Sequence, residues 1–264
     1  ALWAGPGCSE LTGAKRGEDF YRRCAGHLDR GGGGLCWTLT GRHAGEDELA
    51  PRLAVVSSAL GRILRGSGWT RRRDRLGYCG SIRAVEITRS DVNGWHPHVQ
   101  IAFLFERPLT AAEISDFEGW LFGRWSAICE KQGFGTITRE RGIDVRPLTR
   151  DGIGDYLAKT QDGGWSAGHE LARNDRKGRS AFSLLREVKE TGDAAAALLW
   201  AEYVDATFGH RAIQWSPGLR DCLGVGRKLT AGGGVRGAAR GFCGWVLEWG
   251  GRDSRVRPWA RSLM

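Results

Sequence analysis

Hydrophobic and polar residues alternate in four short stretches of this chain. Leu35, Trp37 and Leu39 alternate with Cys36, Thr38 and Thr40, and Val85 and Ile87 with Ala84, Glu86 and Thr88. Val99, Ile101, Phe103 and Phe105 continue a run that begins with His96, His98 and Gln100, and Ile143 and Val145 alternate with Asp144 and Arg146. Successive strand side chains point to opposite faces, so each stretch predicts a strand with one apolar and one wet side. Leu49, Leu53, Val56, Leu60 and Leu64 recur instead at helical spacing. They follow Glu46, Asp47 and Glu48, which suit the positive end of a helix dipole, and Gly66-Ser67-Gly68 is expected to end that helix. Thr110-Ala111-Ala112-Glu113 has the form of a capping box. It opens a helix with Ile114, Phe117, Leu121 and Ile128 on one side.

A turn around Asp91 to Gly94 makes the second and third strands an antiparallel hairpin. A short helix is predicted over 151–160, and further helical signals lie at Phe182 to Leu185 and Ala194 to Tyr203, with Trp215 to Arg220 closing the patterned region. The order β-α-β-β-α-β-α predicts an α+β fold: an antiparallel sheet of the ferredoxin-like, split βαβ kind, with helices on the apolar face and the polar face open. Residues 1–34 are rich in glycine and charge and are expected to be a loosely ordered leader. The domain proper is expected over 35–220, and the Gly- and Arg-rich stretch 221–264 reads as a disordered tail.

Composition narrows the class. The chain of 264 residues carries 39 Lys and Arg against 30 Asp and Glu, a formal charge of +9 that favours a polyanionic partner. Its seven cysteines never fall in a C-x-x-C spacing, which argues against a zinc ribbon. No apolar run approaches the roughly 20 residues that span a bilayer, and the start lacks the order of a secretory signal. A cytoplasmic setting with no membrane partner is expected.

The candidate chemistry sits on the wet side of the hairpin. His96, His98 and Gln100 share a strand face, and Glu86 shares it from the neighbouring strand. Glu86, His98 and Gln100 make a three-ligand patch, with His96 either a fourth ligand or a turn residue held by Pro97. A carboxylate, imidazole and amide set suits Mg²⁺ or Mn²⁺ better than zinc. Aligned histidines also occur on ordinary surface strands. Tyr156 has a bland reading too, as a packed aromatic on an amphipathic helix. Lys159 shifts the balance, because at i+3 it shares a helix face with Tyr156 and favours the phenolate. The basic run Arg71-Arg72-Arg73-Asp74-Arg75 is open between a solvated face and a phosphate contact.

These motifs together resemble the rolling-circle replication initiators (Rep proteins) of small plasmids, within the HUH endonuclease superfamily. The first motif of that family is matched by Leu35-Cys36-Trp37-Thr38-Leu39-Thr40, the second by Gly94-Trp95-His96-Pro97-His98-Val99-Gln100, and the third by Tyr156-Leu157-Ala158-Lys159. Gln100 stands where plasmid initiators usually carry the second histidine. The resemblance implies a metal-dependent, site-specific nickase and ligase acting on single-stranded or cruciform plasmid origin DNA, alongside host polymerase and helicase. Tyr156 is then the nucleophile, Lys159 its stabiliser, and Arg146, Arg71, Arg72 and Arg73 are DNA contacts. Asp151 or Asp155 is a candidate base for resolving the intermediate. A transposase or relaxase of the same superfamily, or a non-catalytic nucleic-acid-binding module, are the competing readings.

Overall fold

The computed structural model describes residues 19–150, 153 and 179–223. A helix α1 over residues 19–29 precedes β1 (Gly33–Thr40), α2 (Leu49–Ile63) and α3 (Gly66–Leu76). The hairpin β2 (Tyr78–Ser90) and β3 (Gly94–Phe105) follows, then α4 (Ala111–Lys131), α5 (Arg139–Gly142) and β4 (Ile143–Pro147). Further along the chain come β5 (Arg179–Ser180), α6 (Ala181–Thr191), α7 (Ala194–Thr207), β6 (Ile213–Trp215) and α8 (Leu219–Cys222). The sheet order is β4-β1-β3-β2-β5, with β6 also pairing β2, and every pairing is antiparallel. Its first four strands are the α+β split βαβ arrangement expected from the alternation.

The apolar side is built as expected. Trp37, Phe103 and Phe105 are fully buried against Phe117, Leu121 and Trp125 of α4 and Leu53 and Ile63 of α2. The capping box of α4 forms in both directions between Thr110 and Glu113. Helix α2 has no side-chain cap of its own. Glu202 of α7 supplies the acceptor instead, taking the Leu49 N–H and the Trp95 indole N–H, each at 2.8 Å. Removing that carboxylate leaves two donors unpaired, one from a buried indole. Glu202→Ala is expected to cost about 2–3 kcal/mol, and Glu202→Gln clearly less, in the free energy of denaturant unfolding.

Three expectations are corrected. The glycine-rich segment before β1 is not wholly a loose leader. Residues 19–29 are helical, and Phe20 and Cys24 are buried against the sheet. Gly33 and Gly34 are small because they are packed: a Cβ on Gly33 would collide with the Arg107 carbonyl, and one on Gly34 with the Leu148 side chain. Next, Gly66-Ser67-Gly68 does not merely end a helix. It begins α3, which carries the whole basic run.

The polar face, finally, is polar over only half its length. At one end Ile82, Ala84, Ala102 and Leu104 point to this side and are covered by Phe20, Leu148, Ile153, Leu219 and Leu223. The physical reason is visible in Ile101 to Phe105, a continuous apolar run, which is how a strand buried on both faces reads. At the other end, the face keeps its polar side chains. The segment carrying Tyr156, Lys159, Asp151 and Asp155 and the stretch after 223 lie outside the described residues.

Candidate active site

The polar half of the face is laid out by register. Thr40 of β1, His98 of β3 and Glu86 of β2 form one row across the sheet. Asp144, Thr38, Gln100 and Ala84 form the next, and His96 and Thr88 lie on the other side. The hairpin loop is three residues long and closes on Gly94 in the left-handed region, φ 68°. Gly94 is needed for space as well as angle: a Cβ there would press on the carbonyls of Ala44 and Gly45. The loop after β1 therefore lies directly over the start of β3.

The side chains converge. His98 Nε2 donates to Glu86 Oε2 at 2.8 Å, and the Gln100 amide donates to the same oxygen at 3.1 Å. His98 and Glu86 keep only 14% of their side-chain surface each, and Gln100 is 8% exposed. One carboxylate oxygen is thus the hub of an imidazole and an amide, largely withdrawn from water. Among the described residues no three His, Cys, Asp or Glu side chains cluster tightly enough to form a cation site by themselves. The third donor of any such site here is the Gln100 amide.

His96 is differently placed. Its Nε2 is 2.6 Å from Thr40 Oγ1, and its ring tilts against His98 with centroids 5.1 Å apart. Burial, reinforced by His98 and His43, pushes its pKa down to about 3, so the ring is neutral across the physiological range. With Nε2 engaged by a hydroxyl, His96 braces the site.

A third imidazole completes the file, and sequence reasoning misses it. His43 stacks on His96 at 4.4 Å between centroids, and its Nδ1 donates to the Asn93 carbonyl at 2.8 Å. Nothing local in the sequence joins His43 to His96. The only signal is a histidine soon after a strand whose end faces the hairpin.

The four arginines grouped as DNA contacts do not form one surface. Arg146 lies on the polar face at the β4 edge, exposed and paired with Asp144 at 3.0 Å. Arg71, Arg72 and Arg73 lie on α3, whose Trp69 is buried among Tyr78, Phe117 and Trp120 on the apolar side. The sheet stands between them and the histidines, because alternation sends Trp69's partners and His98 to opposite faces.

Comparison with named proteins finds two relatives. The chain is 31% identical over 290 aligned residues to Protein rep of Streptomyces lividans, a match covering 85% of this chain and 63% of that protein. The chain is similar to a Rep protein. A shorter match, 29% identical over 127 residues, is to a neomycin resistance protein of Streptomyces cyanogenus and covers 39% of this chain and 29% of that protein. The chain thus spans less than two thirds of the length of either relative. No family model matches it, and neither does any solved structure. Among the described residues no helix is long and apolar enough to cross a membrane.

Proposed function

We propose that this chain is a Rep-type initiator of the HUH class, which nicks and rejoins single-stranded plasmid origin DNA through a tyrosine-linked intermediate. The observation that carries the reading is the meeting of Glu86, His98 and Gln100 on the polar half of the sheet face.

The donor set fits a divalent ion. Glu86 Oε2 already draws one imidazole and one amide to itself, and turning the Gln100 amide over replaces its N–H with an oxygen donor. Mg²⁺ or Mn²⁺ held by Glu86, His98 and Gln100 would supply electrophilic polarisation of the scissile phosphate. Thr40 holds the His96 ring, which lies tilted against that of His98. Tyr156, as phenolate favoured by Lys159, attacks the phosphorus. The P–O3′ bond breaks, the 3′ oxygen takes a proton, and the phosphate stays on Tyr156 as a 5′-phosphotyrosine. Attack by a 3′-OH reverses the step and rejoins the strand. A binding-only module of the RNA-recognition kind would display aromatics on its central strands. Here Phe103 and Phe105 are fully buried on the other face.

The test is incubation of the full chain with Mn²⁺ and a library of single-stranded oligonucleotides, followed by denaturing electrophoresis. Protein carrying covalent DNA, lost with a chelator, is the expected result. Its absence from every pool overturns the reading. In the same assay Gln100→His is expected to lower the Mn²⁺ concentration needed for half-maximal nicking, since imidazole nitrogen is the better donor. Gln100→Ala is expected to raise it, with activity returning at saturating metal. Identical metal curves for all three would remove Gln100 from the ligand set.

A further inference from the structure

Helix α3 offers a surface that the proposed chemistry does not use. Trp69 and Leu76 fix its inner side in the core. Gly68, Arg71, Arg72 and Arg75 follow one another at helical spacing on an outward stripe, and Arg71, Arg73 and Arg75 are exposed. Helix α4 runs beside this stripe and adds to it. Arg124 donates to the Arg65 carbonyl at 3.0 Å, and the guanidiniums of Arg72 and Arg124 lie 5.1 and 5.3 Å from the Trp120 ring centre. Asp116 takes Arg75 at 2.6 Å and Arg72 at 3.3 Å, and the two hold its carboxyl below the usual range. Arg73 leans on its neighbour Asp74. The acids order the guanidiniums without cancelling them: Arg65, Arg71, Arg72, Arg73, Arg75 and Arg124 stand on this face against Asp74 and Asp116.

We propose that the α3–α4 face is a second DNA surface, which takes the phosphate backbone of a duplex while the opposite face of the sheet takes the single strand. The partner class follows from the chemistry. Single-strand grooves rely on open aromatic platforms, whereas Trp120 is taken up by Arg72 and Arg124. Guanidiniums on a protruding helix suit a regular row of phosphates, and exposed pairs such as Arg75–Asp116 exchange easily for such contacts. The choice of DNA as partner rests on the nicking reading, and the surface itself rests on geometry and charge.

The experiment measures binding of a short random-sequence duplex and of its single strand by fluorescence anisotropy across a salt series. It uses the whole chain and its Arg71→Ala/Arg75→Ala and Arg71→Lys/Arg75→Lys variants. Each lost phosphate contact removes about 0.9 from the slope of log K against log salt, so the alanine pair should flatten the duplex slope by about 1.8. The lysine pair should keep it, and the single-strand slope should stay close to wild type in both. An unchanged duplex slope overturns the surface. A single-strand slope that falls as much as the duplex slope overturns the duplex assignment. Both substituted side chains are exposed, so thermal unfolding at the wild-type temperature confirms that the comparison is made on folded protein. If the protein forms no covalent adduct but the duplex slope still falls, the nicking reading fails and the surface stands. If adduct forms and the slope is unchanged, the surface fails and the nicking reading stands.

Discussion

Tyr156→Phe is expected to leave no covalent protein–DNA adduct while oligonucleotide binding stays close to wild type. The substitution deletes one oxygen, the atom that would carry the phosphate, and keeps the aromatic ring. Loss of a covalent nucleophile ordinarily costs catalysis on the order of 10⁴-fold or more. Lys159→Ala should act in the same direction but less severely, because the phenol can still ionise. The measurement is adduct yield on denaturing gels beside anisotropy with the same oligonucleotide. An adduct formed at the wild-type rate by the Phe variant would take the nucleophile away from Tyr156 altogether.

His98→Ala and Glu86→Ala come next in expected size. Each removes one member of the proposed three-donor set, and Glu86 also carries the oxygen on which His98 and the Gln100 amide converge at 2.8 and 3.1 Å. Even partners that only orient a metal ligand cost 10–100-fold when removed, so loss of a ligand should weaken Mn²⁺ binding by roughly 100-fold or more. Calorimetric titration with Mn²⁺ reads this directly, without requiring turnover. His96→Ala should cost far less, since Thr40 and His43 hold that ring to one side. Equal losses for His96→Ala and His98→Ala would move His96 into the ligand set.

Much of this architecture was legible because strand alternation is a local signal. Glu86, His98 and Gln100 could be put on one face from period two and a hairpin turn alone, and the register pairs Glu86 directly with His98. What escaped was long-range. His43 reaches His96 only because the loop after β1 folds over Gly94, and Glu202 caps a helix 153 residues earlier in the chain. The cover on half of the polar face was missed for another reason. A short glycine-rich stretch beside charged residues reads as loose, and the helical spacing of Phe20 and Cys24 is too brief to outweigh it. The basic run was ambiguous in sequence because Arg71 to Arg75 fits a loop or a helix equally well. Only Trp69 and Leu76, two turns apart and both buried, give its inner side.

The cover of the second face is built from opposite ends of the described chain. Phe20 and Leu219 belong to one apolar cluster, and Asp19 and Arg220 approach within 3.9 Å. Closing so long a loop is entropically slow, while the hairpin of β2 and β3 and its pairing with β1 form from nearer segments. Assembly of this half of the molecule should therefore be a late event, after the sheet exists. In kinetic terms, truncating Leu219 should hasten unfolding and leave the refolding rate nearly untouched, the behaviour of a side chain absent from the folding transition state.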